Sequence, residues 1–155
     1  TPHPFEYRLL GDKDRLLELS NLQEWPVSPE HRAVIEKALI RTVEVSAMDP
    51  DQLWAERKKW FFKPRRSHGG KAVYRGSSIS RGTFANILAG DYLAQEMVPP
   101  SHVKFAGEEE EMKVDLRFYV YRDKIQLACA RLYRGQMTNM QTLGGGAAAI
   151  RFTTQ

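Results

Sequence analysis

Residues 60–76 read WFFKPRRSHGGKAVYRG. An aromatic run, Trp60-Phe61-Phe62, ends in Lys63-Pro64. A polar loop holding Gly69 and Gly70 follows. An extended pattern resumes at Lys71-Ala72-Val73-Tyr74 and stops at Gly76. The pattern predicts a strand, a flexible basic loop and a second strand. Two adjacent glycines let backbone N–H groups approach an anion closely, because no side chain intervenes. Lys63 and Lys71 bracket the loop, so two ammonium groups can converge on what it covers, and a polyphosphate is the natural candidate. A plain hairpin with a Gly-Gly turn and surface lysines fits the same residues. The spacing is neither that of a P-loop nor that of a dinucleotide fingerprint.

Working outward, Ser28-Pro29-Glu30 and Asp49-Pro50 each combine an N-cap residue with proline at the first helical position. The first of these helices carries Val34, Ile35, Ala38 and Leu39 on one face. The second carries Leu53 and Trp54 and runs into Arg57-Lys58-Lys59, cations suited to a helix C-terminus. Asp12-Lys13-Asp14 predicts a shorter helix start before Leu16, Leu17 and Leu19, and Thr42 to Val45 a brief strand. Ser80 opens a helix with Phe84, Ile87 and Leu88 on one side and Gly90 as its stop. Tyr92 to Val98 reads as a buried strand, and 101–111 as a polar, acidic loop. Met112–Tyr121 and Lys124–Tyr133 form an antiparallel hairpin through Arg122-Asp123, and 147–152 a last short strand. Helices and hairpins mix irregularly. The fold class is therefore α+β, mostly antiparallel sheet with flanking helices and a glycine-loop hairpin.

The chain has 155 residues, one cysteine and a net charge of +4. The lone Cys129 excludes an internal disulfide and fits a reducing, cytoplasmic setting. No apolar run is long enough to span a bilayer, and no signal-peptide pattern opens the chain. The basic excess is dispersed and interleaved with acids, Glu108 to Glu111 among them, so nucleic acid ranks below a nucleotide as partner. The four histidines lack metal-ligand spacing, which argues against zinc.

On the strand from Met112, alternation puts Asp115, Arg117 and Tyr119 on one face and Leu116, Phe118 and Val120 on the other. Arg131 ends an otherwise apolar row on the next strand. The ordinary reading is a solvated sheet face. The functional reading is a floor beneath a ligand, with arginines as bidentate partners for phosphate or carboxylate. Asn139, before Gly144 to Gly146, is either a turn residue or a ligand to a metal or substrate group.

Four segments in order, FFKPRRSHGGKAVYRG (61–76), DYLAQEMVPP (91–100), VDLRFYVYRDKIQLACARLYRG (114–135) and MTNMQTLGGGAAAI (137–150), resemble circularly permuted ATP-grasp proteins of the glutathionylspermidine-synthase-like group. DKDRLLEL (12–19) resembles the helix preceding the ATP-binding lobe in that family. The D-x-R strand and T-N before glycines are also similar to ligases that add glutamate to ribosomal protein. The resemblance implies an ATP-grasp-like fold: a helical lead-in over 1–59, a small lobe with the glycine loop over 60–100, and the sheet floor of a second lobe over 101–155. It implies that Lys63 and Lys71 hold the α- and β-phosphates of ATP and that the loop with His68, Gly69 and Gly70 closes over them. Gln95, Glu96, Met97 and Val98 would meet the adenine edge. Asp115 would lie on the floor, Arg117 and Arg131 would stabilise a forming acyl-phosphate, and Asn139 would shape the acceptor side.

The implied cofactors are ATP and magnesium. The implied reaction joins a small-molecule or peptide carboxylate to an amine. Such chemistry needs positioned cations more than a nucleophile, and the chain offers lysines, arginines and a glycine loop with no triad. It departs from the family in lacking the E-x-N that holds magnesium. With Thr1 in place of an initiator Met, this raises the expectation of a piece of a longer enzyme. A degenerate, non-catalytic nucleotide- or protein-binding module is the alternative.

Overall fold

The computed structural model describes residues 12–22, 25–66, 71–107, 109–136, 138–141 and 143–153. They divide into two compact units, one running to Val98 and one from Pro99. Among them no helix is long and apolar enough to cross a membrane.

The first unit contains α1 (Asp14–Ser20), α2 (Pro29–Ala38), β1 (Thr42–Glu44), α3 (Pro50–Ala55), β2 (Trp60–Pro64), β3 (Tyr74–Arg75), α4 (Arg81–Ala89) and β4 (Tyr92–Glu96). Three helices start on side-chain caps. Ser28 Oγ accepts the His31 N–H at 3.3 Å, Asp49 Oδ1 the Gln52 N–H at 2.8 Å, and Ser80 Oγ the Thr83 N–H at 3.1 Å. Each satisfies a donor that the first turn leaves without an intrahelical partner. Pro29 and Pro50 occupy the first turn, where their missing N–H costs nothing.

The four strands form an antiparallel sheet in the order β1-β4-β2-β3. Period-two alternation sorts its side chains. Trp60 and Phe62 of β2 and Ala94 of β4 lie on one face, in a core with Val45, Leu53, Phe84 and Ile87. Phe84 meets both Phe62 and Trp54, with ring centroids 6.1 and 5.1 Å apart. The opposite face carries Thr42, Leu93, Gln95, Phe61 and Lys63, set side by side by the register. The apolar side expected on α2 is only partly covered among the described residues: Ile35 and Leu39 are half-buried, Val34 is 64% exposed and no residue of the helix is fully buried.

Three local expectations change. The basic run after α3 forms its own 3₁₀ turn, Arg57–Lys59. Lys71 and Ala72 lie in a turn, Ala72 with φ of 53°, so the second strand of the glycine-loop hairpin is only Tyr74–Arg75. Ser101–Val103, expected within a loop, pairs as a strand because Met112–Val114 offers it an open edge.

The second unit is a sheet in the order β5 (Ser101–Val103), β6 (Met112–Tyr121), β7 (Lys124–Tyr133), β8 (Gly146–Ala149), antiparallel throughout. Arg122 and Asp123 both take positive φ, 46° and 60°, the handedness that matches a two-residue hairpin turn to strand twist. A bulge lies between Tyr119 and Val120. The class is α+β, with two open antiparallel sheets and flanking helices in the first unit.

Candidate functional site

Lys63 projects from β2 on the face opposite the aromatic core, so it is set into a polar row instead of apolar packing. Lys63 Nζ donates to Gln95 Oε1, Gln95 Nε2 donates to Thr42 Oγ1 at 3.0 Å, and Thr42 Oγ1 donates to the Ile40 carbonyl at 3.0 Å. This relay crosses three strands and fixes which way the Gln95 amide points. Gln95 and Thr42 are 8% and 4% exposed, so the bonds satisfy polar atoms that would otherwise lose water without compensation. Gln95 thus acts here through its side chain, as the support of Lys63.

No carboxylate pairs with Lys63 among the described residues. Its ammonium is held below its ordinary pKa, first by burial and then by the like charge of Lys13. Lys13, immediately before α1, is also lowered by burial, against the opposing pull of Asp12. Lys13 thus lies near enough for its charge to act on the Lys63 ammonium. Lys13 is the residue that sequence reading misses. It sits between Asp12 and Asp14 and looks like part of an ordinary charged helix start.

Arg65 explains how Lys13 arrives there. Its guanidinium donates to Asp14 of α1, to Glu44 of β1 at 2.7 Å and to Asp91 before β4 at 2.7 Å, while its backbone N–H donates to the Asp91 carbonyl at 3.0 Å. Three carboxylates on one fork raise its affinity for a proton still further. The hub pins α1 to the end of the sheet. Arg65→Met leaves these three acids facing one another. We expect a loss of about 1–2 kcal/mol, a charge-assisted network discounted for partial exposure. Urea unfolding measures it; a midpoint within error of wild type would remove the hub role.

Of the other expected phosphate-side residues, Lys71 is exposed in its turn, and His68, Gly69 and Gly70 lie outside the described residues. On the expected adenine edge, the Glu96 N–H donates to the Arg41 carbonyl at 2.9 Å and the Met97 N–H to the Lys59 carbonyl at 2.7 Å. The Val98 N–H makes no hydrogen bond among the described residues, and Val98 is 58% exposed. That leaves Val98 as the donor in this segment.

In the second unit, Asp115 stands directly opposite Arg131. One carboxylate oxygen accepts from Arg131 Nε, and the other accepts from Thr138 Oγ1 at 2.9 Å. Asp115 thereby fastens the segment that carries Asn139. Asn139 Oδ1 accepts the Gln141 N–H at 3.0 Å, closing an Asx turn. The terminal nitrogens of Arg131 make no hydrogen bond among the described residues. Arg117 opposes Cys129 on the same face and lies over the Tyr119 ring, 5.0 Å from its centroid. The sheet thus brings Asp115, Arg117 and Arg131 together.

Among the described residues no three His, Cys, Asp or Glu side chains converge to hold a metal. Each Asp115 oxygen already accepts one hydrogen bond, and among the described residues no second acid joins it in such a cluster. Comparison with protein-family models, with curated proteins and with solved structures finds no match for the chain.

Proposed function

We propose that this chain is an ATP-grasp-like nucleotide-binding domain of a carboxylate–amine ligase, with the triphosphate of ATP held at Lys63 and Lys13. The observation that carries the reading is Lys63 itself. Lys63 is a partly buried ammonium, supported by a buried glutamine and with no carboxylate partner among the described residues. A polyphosphate would give the Lys63 ammonium an anionic partner, and such bonds are strongest where water is partly excluded. Lys71 belongs to the phosphate side in this reading. In this reading the Val98 N–H is the donor offered to the adenine edge. The described carboxylates do not form a magnesium site. The proposal for this chain is nucleotide binding.

Calorimetric titration of the chain with ATP, ADP and adenosine tests it. The expected order of affinity is ATP above ADP above adenosine, because each phosphate adds a charge-assisted contact. Absence of saturable ATP binding would end the proposal. Val98→Pro removes the free N–H and also fixes φ at residue 98, so circular dichroism must match wild type. The variant should weaken ATP by about 1 kcal/mol, the worth of one hydrogen bond, while leaving inorganic triphosphate unaffected. Equal losses for both ligands would take the base away from Val98.

A further inference from the structure

A cavity in the first unit, of about 330 Å³, lies where α1 and α2 both end. Its lining includes Leu19, Asn21, Leu22, Glu36, Leu39 and Arg41. The volume is at the lower end of what small-molecule sites offer. Three leucines give it an apolar floor, and Leu22 is 4% exposed. At its rim stand one acid and one base. Neither Glu36 nor Arg41 forms an ion pair among the described residues, with each other or with any other side chain. The Asn21 carboxamide also makes no hydrogen bond among the described residues. Helix C-termini, where carbonyl oxygens lack intrahelical donors, favour a cation. Arg41 is oriented over the Trp60 ring, 5.4 Å from its centroid, and its backbone carbonyl is held by the Glu96 N–H. Its guanidinium therefore projects from a fixed strand end.

From this juxtaposition we infer that the cavity binds a small zwitterion with an aliphatic body, the class of the free aliphatic α-amino acids. Glu36 and the helix-end carbonyls take the ammonium. Arg41 takes the carboxylate through its planar fork. Leu19, Leu22 and Leu39 take the side chain. The site shares no side chain with the Lys63 relay, so the inference stands apart from the nucleotide reading.

Calorimetry on the whole chain with L-leucine as probe tests the inference. L-leucine should saturate with a Kd below about 1 mM. Leucinamide lacks the carboxylate, N-acetyl-leucine lacks the ammonium and glycine lacks the aliphatic body; each should bind at least about tenfold more weakly, the factor that 1.4 kcal/mol represents. Glu36 and Arg41 are both exposed. Glu36→Gln is isosteric, while Arg41→Gln removes the guanidinium and with it the contact to Trp60. Each should weaken L-leucine by about tenfold or more with circular dichroism unchanged. Lys63→Met should leave L-leucine binding intact, which separates failure here from failure of the nucleotide site. No saturation by L-leucine at about 10 mM would overturn the assignment. So would leucinamide or N-acetyl-leucine binding as well as L-leucine, or indifference to both Gln variants.

Discussion

Lys63→Met is expected to weaken ATP binding by about 1.5–3 kcal/mol, roughly tenfold or more, which is the scale of a hydrogen bond to a charged group. Methionine keeps the apolar stem and removes only the ammonium. The same variant has a signature without ligand. Burial, and then the charge of Lys13, hold the folded-state pKa of Lys63 below the unfolded value of 10.5. Between those two values the unfolded chain binds more protons than the folded one. Stability contributed by this group therefore rises as pH climbs through the window, and below the window the cost of the charged ammonium is fully present. The unfolding free energy of wild type should gain on that of Lys63→Met as pH rises toward 10.5. Bound phosphate favours the charged ammonium, so ATP affinity should fall over the same range. Two titrations check this: ATP calorimetry, and urea melts at several alkaline pH values. Unchanged ATP affinity in the variant would refute the phosphate role, whatever the melts show.

Gly76→Ala should cost about 3 kcal/mol or more, at the severe end of overpacking. A Cβ built at Gly76 lies 1.8 Å from the Arg57 carbonyl oxygen, 2.7 Å from the Arg57 carbonyl carbon and 2.9 Å from the Trp60 carbonyl oxygen. All three are backbone atoms, so no side-chain rotation relieves the clash. The 3₁₀ turn Arg57–Lys59 must move, and with it the start of β2, which carries Trp60, Phe62 and Lys63. A native stability of 5–15 kcal/mol leaves little room for such a loss. At 4–8 °C per kcal/mol for a unit of this size, the melting temperature should drop by more than about 12 °C. Gly82→Ala is the control, because its added Cβ meets nothing closer than the Ser80 hydroxyl at 3.9 Å. If Gly76→Ala melts like Gly82→Ala, the turn is free to shift and the packing argument is wrong.

Much of the local structure is legible in the residues. Ser28-Pro29, Asp49-Pro50 and Ser80 start helices because the cap and the first turn are satisfied by neighbours three residues away. The hairpin over 112–133 follows from alternation and a two-residue turn. The grouping of Asp115, Arg117 and Arg131 follows partly from period-two counting, since one face of a strand collects every second residue. That Arg131 stands opposite Asp115, and not one pair along, depends on register.

Other features had no local signal. The pattern marks Gly76 as the end of a strand, and nothing in it shows that the Arg57 carbonyl will occupy the place of a side chain. Lys71 has an extended-looking context, yet the chain turns there. Arg65 finds acids 51, 21 and 26 residues away in sequence. Each looks like ordinary surface charge until the strands are laid side by side.

By itself the sequence determined the α+β class, most of the helix starts, the long hairpin and the presence of Lys63 at the end of an aromatic strand. Those depend on hydrogen bonds and side-chain alternation over a few residues. Only the tertiary structure decided that β1 joins the sheet beside β4, that Gln95 and Thr42 support Lys63, and that Arg65 brings Lys13 to it. Those contacts depend on strand order and register, which are set by burying Trp60, Phe62, Phe84 and Ile87 together, and no short window of residues encodes that packing.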